Sequence, residues 1–138
     1  MRNKELVREA LEARKQSYCP YSGFAVGAAL LCGDGTVFRG CNIENAAYPA
    51  TNCAERTAMF KAVSEGNTDF RAIAIVGGPK GKEPKDFCAP CGVCRQVMRE
   101  FAAPDQFRIL IAKTQEDFKE YTLGELLPES FGPDNLEK

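Results

Sequence analysis

The sequence predicts a single α/β domain over residues 1–138, with a mixed β-sheet of about five strands sandwiched between helices. Three observations predict this fold class. Segments with helical apolar spacing alternate with short apolar runs that are typical of buried strands. Glycine and proline residues mark the boundaries between them. The length of 138 residues and the 44% content of hydrophobic residues suit one core that needs no disulfide bonds.

The first half of the chain is predicted to form two helices and a β-hairpin. In order, we expect a helix over 5–13, strands over 24–31 and 37–42, an irregular loop over 45–51 and a helix over 53–63. Apolar residues recur at helical spacing in both helical segments. Gly33-Asp34-Gly35 separates the two strands, as a hairpin turn does. Thr51 or Asn52 is expected to cap the second helix, and Gly66 to end it.

The second half is predicted to place strands on either side of a further helix. We expect a strand over 72–76, followed by a surface loop over 77–85. A helix then runs from Cys91 or Gly92 to just before Pro104. A strand over 107–112 follows, and a strand end with a short helix occupies 121–127. A polar tail begins at about residue 129. Because apolar strands alternate with helices, we expect the sheet to be covered by helices.

Composition and charge argue against several classes of function. The net charge is −1 and no dense Lys/Arg stripe is present, so a nucleic acid is not the expected partner. Residues 1–15 are charged, and no run approaches the roughly 20 apolar residues of a membrane span. We therefore expect a cytoplasmic protein that binds a small molecule. In that reducing compartment the seven cysteines are expected to be thiols or metal ligands rather than disulfides.

Three cysteines occupy positions that suit a zinc site. Cys91-x-x-Cys94 lies at a predicted helix start, where unpaired N–H groups stabilise thiolates, and Cys53 lies at another. Three thiolates hold Zn²⁺ and leave the fourth tetrahedral position for water. The chain contains no histidine, so metal chemistry here depends on sulfur and carboxylate. Cys91-x-x-Cys94 alone also fits a redox dithiol, and Cys88 is the residue that could close a purely structural zinc site.

Glu55 and Arg56 follow Cys53 and have the chemistry that such a site requires. A carboxylate at Glu55 is expected near the metal, where it moves a proton from an activated water to a substrate. The alternative is a structural role, as the third residue of a capping box that begins at Asn52. Three thiolates on Zn²⁺ sum to a negative charge, so a hydrogen-bond donor to sulfur is needed, and Arg56 is the candidate. Arg95 is a rival for that role, and either arginine could be an ordinary solvated side chain.

The same residues carry a family resemblance that covers most of the chain. Cys53-Ala54-Glu55 with Pro90-Cys91-Gly92-Val93-Cys94-Arg95-Gln96 resembles the cytidine deaminase signature, in its three-cysteine variant. Two further blocks, 21–30 and 40–48, resemble the family's opening motif and its nucleoside-binding segment. The resemblance extends from about residue 18 to 128. It implies a cytidine deaminase-like α/β/α fold, a homotetramer, and one Zn²⁺ per subunit held by Cys53, Cys91 and Cys94.

The resemblance also implies a reaction. Zinc-activated water attacks C4 of cytosine while Glu55 acts as general acid and base, which converts cytidine or deoxycytidine to its uridine counterpart with release of ammonia. Such a hydrolase would serve pyrimidine salvage. Arg56 is then the donor that relieves charge on the thiolates. The partner is a free nucleoside, and neither a nucleic acid nor a membrane is required.

Six residues match positions that bind the nucleoside in this family. They are Phe24, Asn42, Glu44, Tyr48, Ala54 and Phe131. The resemblance implies that Phe24 packs on the base and that Asn42 and Glu44 hold the ribose hydroxyls. Tyr48 and Phe131 resemble positions that contribute across a subunit interface. From the residues alone, a core aromatic is the commoner role for a residue such as Phe24, and Asn42 with Glu44 could be a strand-end turn and an exposed acid.

Two departures from the family pattern leave other functions open. The segment 77–87 is longer and richer in lysine than expected, and Cys88 adds a thiol near the metal motif. One rival is a deaminase of another cytosine compound, such as a blasticidin-type aminonucleoside. A second is a zinc or redox module without catalysis, and a third is nucleic-acid editing. A carboxylate at Glu44 suits a neutral diol and repels phosphate, which favours nucleosides.

Overall fold

A computed structural model describes residues 1–136 and contains one five-stranded mixed sheet with helices on both faces, which confirms the predicted fold class. The helices are α1 (Asn3–Arg14), α2 (Ala54–Ser64), α3 (Gly92–Phe101) and α4 (Leu123–Leu126). The strands are β1 (Phe24–Cys32), β2 (Val37–Cys41), β3 (Phe70–Pro79), β4 (Arg108–Ala112) and β5 (Phe118–Thr122). Short 3₁₀ turns lie at Tyr48–Ala50 and Pro133–Leu136. Among residues 1–136, no helix is long and apolar enough to cross a bilayer.

The sheet order β2-β1-β3-β4-β5 places the two longest strands, β1 and β3, side by side. Strands β3 and β4 are parallel, and the other neighbouring pairs are antiparallel. Parallel neighbours need a crossover connection, and α3 lies in the connection between β3 and β4. The segment that carries Cys88, Cys91 and Cys94 is therefore this crossover.

Side chains alternate between two apolar cores, one on each face of the sheet. Ala28 and Leu30 of β1 pack with α2 and α3, whereas Ala29 between them packs with α1. Gly40 in β2 lets α2 approach closely, since a Cβ there would lie 2.4 Å from the carbonyl oxygen of Ala54. The N-terminal turn of α2 therefore lies directly on β2, on the face that also carries α3.

Several element boundaries differ from the sequence prediction by a residue or more, and three of these differences have a clear physical reason. Cys53, rather than Thr51 or Asn52, is the N-cap of α2, because the backbone of Asn52 is engaged in an isolated β-bridge. Residues 77–79, predicted as the start of a loop, belong to β3 because they pair with the first three residues of β1. The strand end and short helix predicted over 121–127 are β5 and α4, and the strand begins earlier, pairing along the whole of β4.

The C-terminal segment is bound to α3. Arg99 donates from Nε to the Ser130 hydroxyl at 2.9 Å and from Nη2 to the Asp134 carboxylate at 2.6 Å. Gln96 donates to the carbonyl of Phe131 at 2.8 Å. These contacts hold the start of the predicted polar tail against the helix that carries Cys94. Residues 137 and 138 of that tail lie outside the described residues.

Candidate active site

Two helix N-termini bring three cysteines together. Cys53 and Cys91 are the N-cap residues of α2 and α3, and Cys94 lies in the first turn of α3. Their Sγ atoms all lie within 4.8 Å of one another, and those of Cys53 and Cys91 are 3.8 Å apart. Cys94 is buried while Cys91 is exposed, so the cluster is accessible from one side. The structure thus groups the three thiols that the sequence predicts as metal ligands.

The donor set of this cluster fits a zinc ion. Tetrahedral coordination with Zn–S bonds of about 2.3 Å separates two sulfurs by about 3.8 Å. The separation of the Cys53 and Cys91 sulfurs agrees with this value. Three sulfur donors leave one tetrahedral position for another ligand. Within the described part of the chain, Cys88 does not join the cluster, which argues against a closed four-cysteine site.

Arg56 contacts the cluster directly. Its Nη2 donates a hydrogen bond to the Sγ of Cys53 at 3.3 Å, and this contact raises the pKa of Arg56. Arg95, the rival donor, directs its Nη1 to the carbonyl of Leu126 instead. Of the two arginines, Arg56 is therefore the one that donates to a sulfur of the cluster.

Two thiols of the cluster change each other's acidity through a hydrogen bond. A hydrogen bond with Cys94, assisted by Arg56, lowers the pKa of Cys53 to about 5. The same hydrogen bond, together with burial, raises the pKa of Cys94. The pair of Cys53 and Cys94 therefore carries one negative charge readily. A second negative charge on the pair is stabilised when a cation shares the site.

Glu55 lies in the first turn of α2, with its side chain turned inward and only 4% of the residue exposed. Burial raises the pKa of its carboxyl to about 7, and the negative charge on Cys53 acts in the same direction. A carboxyl that titrates near neutrality both accepts and donates protons efficiently. The capping-box alternative fails because Cys53 is the N-cap, and the Asn52 side chain donates to the Thr57 hydroxyl.

Glu44 and Tyr48 line a common cavity of about 350 Å³. The carboxylate of Glu44 accepts hydrogen bonds from the backbone N–H of Tyr21 at 3.0 Å, from that of Ser22 at 3.1 Å, and from the Ser22 hydroxyl. The Ser22 hydroxyl and the two backbone donors lower the pKa of Glu44. The sequence pattern assigns no role to Ser22, because a serine in a polar loop gives no signal for a partner 22 residues away.

Asn42 is 8% exposed and links three parts of the chain. Its Oδ1 accepts from the Ser17 hydroxyl and from the N–H of Val26 at 2.9 Å, and its Nδ2 donates to the carbonyl of Phe24 at 2.8 Å. Within residues 1–136, the second amide hydrogen of Asn42 is left for another partner. This structural role was not predictable from the sequence, because the partners lie 16 to 25 residues away.

The remaining residues predicted to bind substrate lie in different places. Ala54 is buried as the first residue of α2, next to Cys53. Phe24 begins β1, is 42% exposed, and lines a second cavity of about 250 Å³ together with Cys88. Phe131 lies in the C-terminal segment beside α3 and is 58% exposed. Phe24, the base-packing candidate, and Glu44, one of the two ribose-binding candidates, therefore line separate cavities of one chain.

Comparisons with known proteins match this chain to a family with a zinc-binding region. Residues 1–109 match a family model described as the cytidine and deoxycytidylate deaminase zinc-binding region. A cytidine deaminase from Halalkalibacterium halodurans is 50% identical over 136 residues, which cover 99% of this chain and 98% of that protein. Another from Sporosarcina psychrophila is 47% identical, over 96% and 93% of the two chains. The crystal structure of cytidine deaminase from Burkholderia pseudomallei is 46% identical and matches with a TM-score of 0.85 over 95% of this chain and 100% of that one. The chain therefore belongs to the cytidine deaminase family.

Proposed function

We propose that this chain catalyses the zinc-dependent hydrolysis of cytidine and deoxycytidine to uridine and deoxyuridine, with release of ammonia, as a step of pyrimidine salvage. The observation that carries the proposal is a buried carboxyl, Glu55, beside three thiols at a spacing suited to zinc. Family membership supports the reaction class, and relatives of nearly full length are named cytidine deaminase.

Cys53, Cys91 and Cys94 would hold one Zn²⁺ per subunit, because they offer three thiolate donors in one accessible cluster. When bound, zinc supplies a nucleophile near neutral pH by lowering the pKa of a water molecule. Arg56 and the N-termini of α2 and α3 withdraw negative charge from the sulfurs. This withdrawal favours catalysis, since three thiolates by themselves leave the ion with little positive charge.

Glu55 carries the proton transfers. Its carboxylate accepts a proton from the attacking water and delivers it to N3 of the base as the water oxygen adds to C4. A second proton passes through Glu55 to the exocyclic amine, so that the C4–N bond breaks and ammonia leaves. One water is consumed, one ammonia is released, and the product carries a carbonyl at C4. The buried position of Glu55 keeps bulk water away from these transfers.

The proposed substrate contacts use Glu44 and Phe24, which line the two cavities, together with Asn42 and the start of α2. Glu44 and the remaining amide hydrogen of Asn42 bind ribose hydroxyls, while Phe24 packs on the base. Ala54 completes the base site at the helix start. Because hydrogen bonds hold the pKa of Glu44 below its ordinary value, its charge repels a nucleotide phosphate and favours free nucleosides.

Exposed aromatic residues support the proposal of a homotetramer. Tyr48 is 73% exposed and makes an edge-to-face contact with Tyr21, at 6.5 Å between ring centroids. Phe131 is also exposed, in the C-terminal segment beside α3. Large aromatic side chains of this kind are enriched at protein interfaces. In the proposed assembly Tyr48 and Phe131 contribute to the pocket of a neighbouring subunit, and the enzyme acts in the cytoplasm.

Turnover by the purified, zinc-loaded protein tests this proposal. We expect loss of cytidine and deoxycytidine absorbance with stoichiometric ammonia release, and a rate with cytidine monophosphate that is about a hundredfold lower because of charge repulsion. Single-stranded DNA should remain unmodified. Failure to turn over either nucleoside would contradict the proposal. Ammonia release from an aminonucleoside of the blasticidin type, without turnover of cytidine, would favour the rival deaminase.

A further inference from the structure

Gly77 has no side chain, and the side chains of Cys88 and Phe24 pack against its backbone in the space that a Cβ would occupy. A Cβ at this position in β3 would lie 2.9 Å from the Cys88 Sγ, 3.0 Å from the Cys88 Cβ and 3.0 Å from the Phe24 Cε2. Non-bonded carbon atoms pack at about 3.5–4.0 Å, so no side chain fits here without movement. The Phe24 ring and the Cys88 thiol therefore lie side by side on the glycine backbone.

This contact lies on the face of the sheet that carries the cysteine cluster. Gly77 pairs with Val26 of β1, and Val26 packs on the same apolar core as Cys88. Phe24 precedes Val26 by two residues and so points to the same face. Burial raises the pKa of Cys88 to about 11, and the charge of Glu55 adds to this effect. Cys88 thus lies near both Phe24 and the proposed catalytic carboxyl.

The residue before Cys88 is anchored independently of Phe24. The ring centroid of Phe87 lies 4.5 Å from the Nζ of Lys113 and 4.5 Å from the Nζ of Lys119, both within cation–π range. Lys113 follows β4, and Lys119 belongs to β5. Phe87 therefore ties the crossover segment to β4 and β5, which gives the neighbouring Cys88 an anchor that does not involve the Phe24 ring.

We propose that Gly77 and Cys88 are positioning residues that fix the angle of the Phe24 ring and thereby the place of the pyrimidine base. The inference rests on the proposed function, in which Phe24 packs on that base. The ring is partly exposed, so its support on the buried side determines where it stands. Cys88 acts through the volume of its side chain, as a wall beside the ring, and takes no part in metal binding.

Changes at either position should displace the ring. Gly77→Ala puts a methyl group where the ring and the thiol now lie, and a displacement of about 1 Å in a substrate-contacting group costs up to about a hundredfold. We expect KM for cytidine to rise about tenfold, with kcat changed less than about threefold. Cys88→Ala removes the wall and raises KM by a smaller factor. In the double variant, KM should rise by less than the product of the two single factors, because loss of the Cys88 sulfur makes room for the methyl group at position 77.

The experiment measures KM, kcat, zinc content and Tm for these variants. Cys41→Ala is the matched control, because Cys41 is another half-buried thiol, on β2, in a cavity lined by Glu12 and Lys61. We expect the Gly77→Ala and Cys88→Ala variants to keep full zinc content and to have a raised KM. KM should rise by the same factor for cytidine and deoxycytidine, because the base and not the sugar is displaced. The Cys41→Ala control should match wild type.

Unchanged KM in both Gly77→Ala and Cys88→Ala overturns the inference. So does an equal fall in kcat accompanied by loss of zinc, which would place these residues in the metal centre. If the wild type does not turn over cytidine, the proposed function fails, and uridine affinity measured by calorimetry replaces KM. Weaker uridine binding by the two variants then supports the positioning role, and unchanged binding overturns it.

Discussion

Arg56 donates a hydrogen bond from its Nη2 to the Sγ of Cys53 over 3.3 Å. Cys53 is also the N-cap of α2, where backbone N–H groups have no helical partner and favour negative charge. In a chain without histidine, three thiolates around Zn²⁺ carry a net negative charge, which weakens the ion as a Lewis acid. In the proposed mechanism, charge compensation at Cys53 is therefore what suits an all-sulfur site to catalysis.

Replacing Arg56 by glutamine should slow the reaction without emptying the metal site. We expect kcat to fall by about 10- to 100-fold, since outer donors to metal ligands have effects of this size. Zinc content and KM should change little. The control is Arg71→Gln, because Arg71 pairs with Asp69 at an exposed position. A wild-type kcat in the Arg56→Gln variant would show that Arg56 has no role in the mechanism.

Zinc removal should abolish turnover and destabilise the fold. The cysteine cluster joins the N-termini of α2 and α3, so a bound ion stabilises the native state relative to the unfolded chain. Treatment with a chelator should lower both activity and Tm, and added Zn²⁺ should restore them. Metal analysis of Cys91→Ser should show reduced zinc, and Cys88→Ser should keep one ion per subunit. The opposite pattern would show that Cys88 is a ligand and Cys91 is not.

Nucleoside binding should depend on the ionised form of Glu44. The Ser22 hydroxyl and two backbone N–H groups hold the pKa of Glu44 below its ordinary value of 4.5. KM should therefore be constant at neutral and mildly acid pH and rise when the pH falls below that lowered pKa. The hydrogen-bonded carboxylate also contributes stability above the unfolded-state pKa, and this contribution is lost as the pH falls through the folded-state value.

Kinetics from about pH 8 to well below pH 4.5 on wild type and Glu44→Gln will check this dependence. The variant should have a raised KM at neutral pH and should lack the additional rise in acid that titration of Glu44 causes. If Glu44→Gln has the KM of wild type, Glu44 does not bind the ribose.

Part of the cysteine cluster was predictable because its geometry is local, whereas the approach of Cys53 to Cys91, 38 residues later in the chain, depends on the tertiary fold. A cysteine at the start of a helix necessarily lies at that helix's N-terminus, and the spacing of Cys91 and Cys94 puts both in one turn. The apolar runs likewise predict the strands, since few other structures bury so many consecutive apolar residues. The contact between Arg56 and Cys53 follows from the same helical turn.

Other features depend on partners that are distant in sequence. Gly77 and Pro79 have the composition of a loop, yet they belong to β3 because β1 pairs with them. The amide of Asn42 is largely used by Ser17 and Phe24, and no local pattern indicates these bonds. The support of the Phe24 ring by Gly77 is of the same kind, because tertiary packing and not local propensity decides it.

The mechanism assigns both proton transfers to Glu55, and the turnover rate of zinc-loaded Glu55→Gln tests that assignment. The substitution keeps the size of the side chain and removes its ability to exchange a proton. We expect full zinc content and a kcat lower by about a thousandfold, within the range for loss of general acid–base catalysis. Glu65→Gln, at the opposite end of the same helix, is the control and should match wild type. A zinc-loaded Glu55→Gln protein that deaminates cytidine at the wild-type rate would contradict this mechanism.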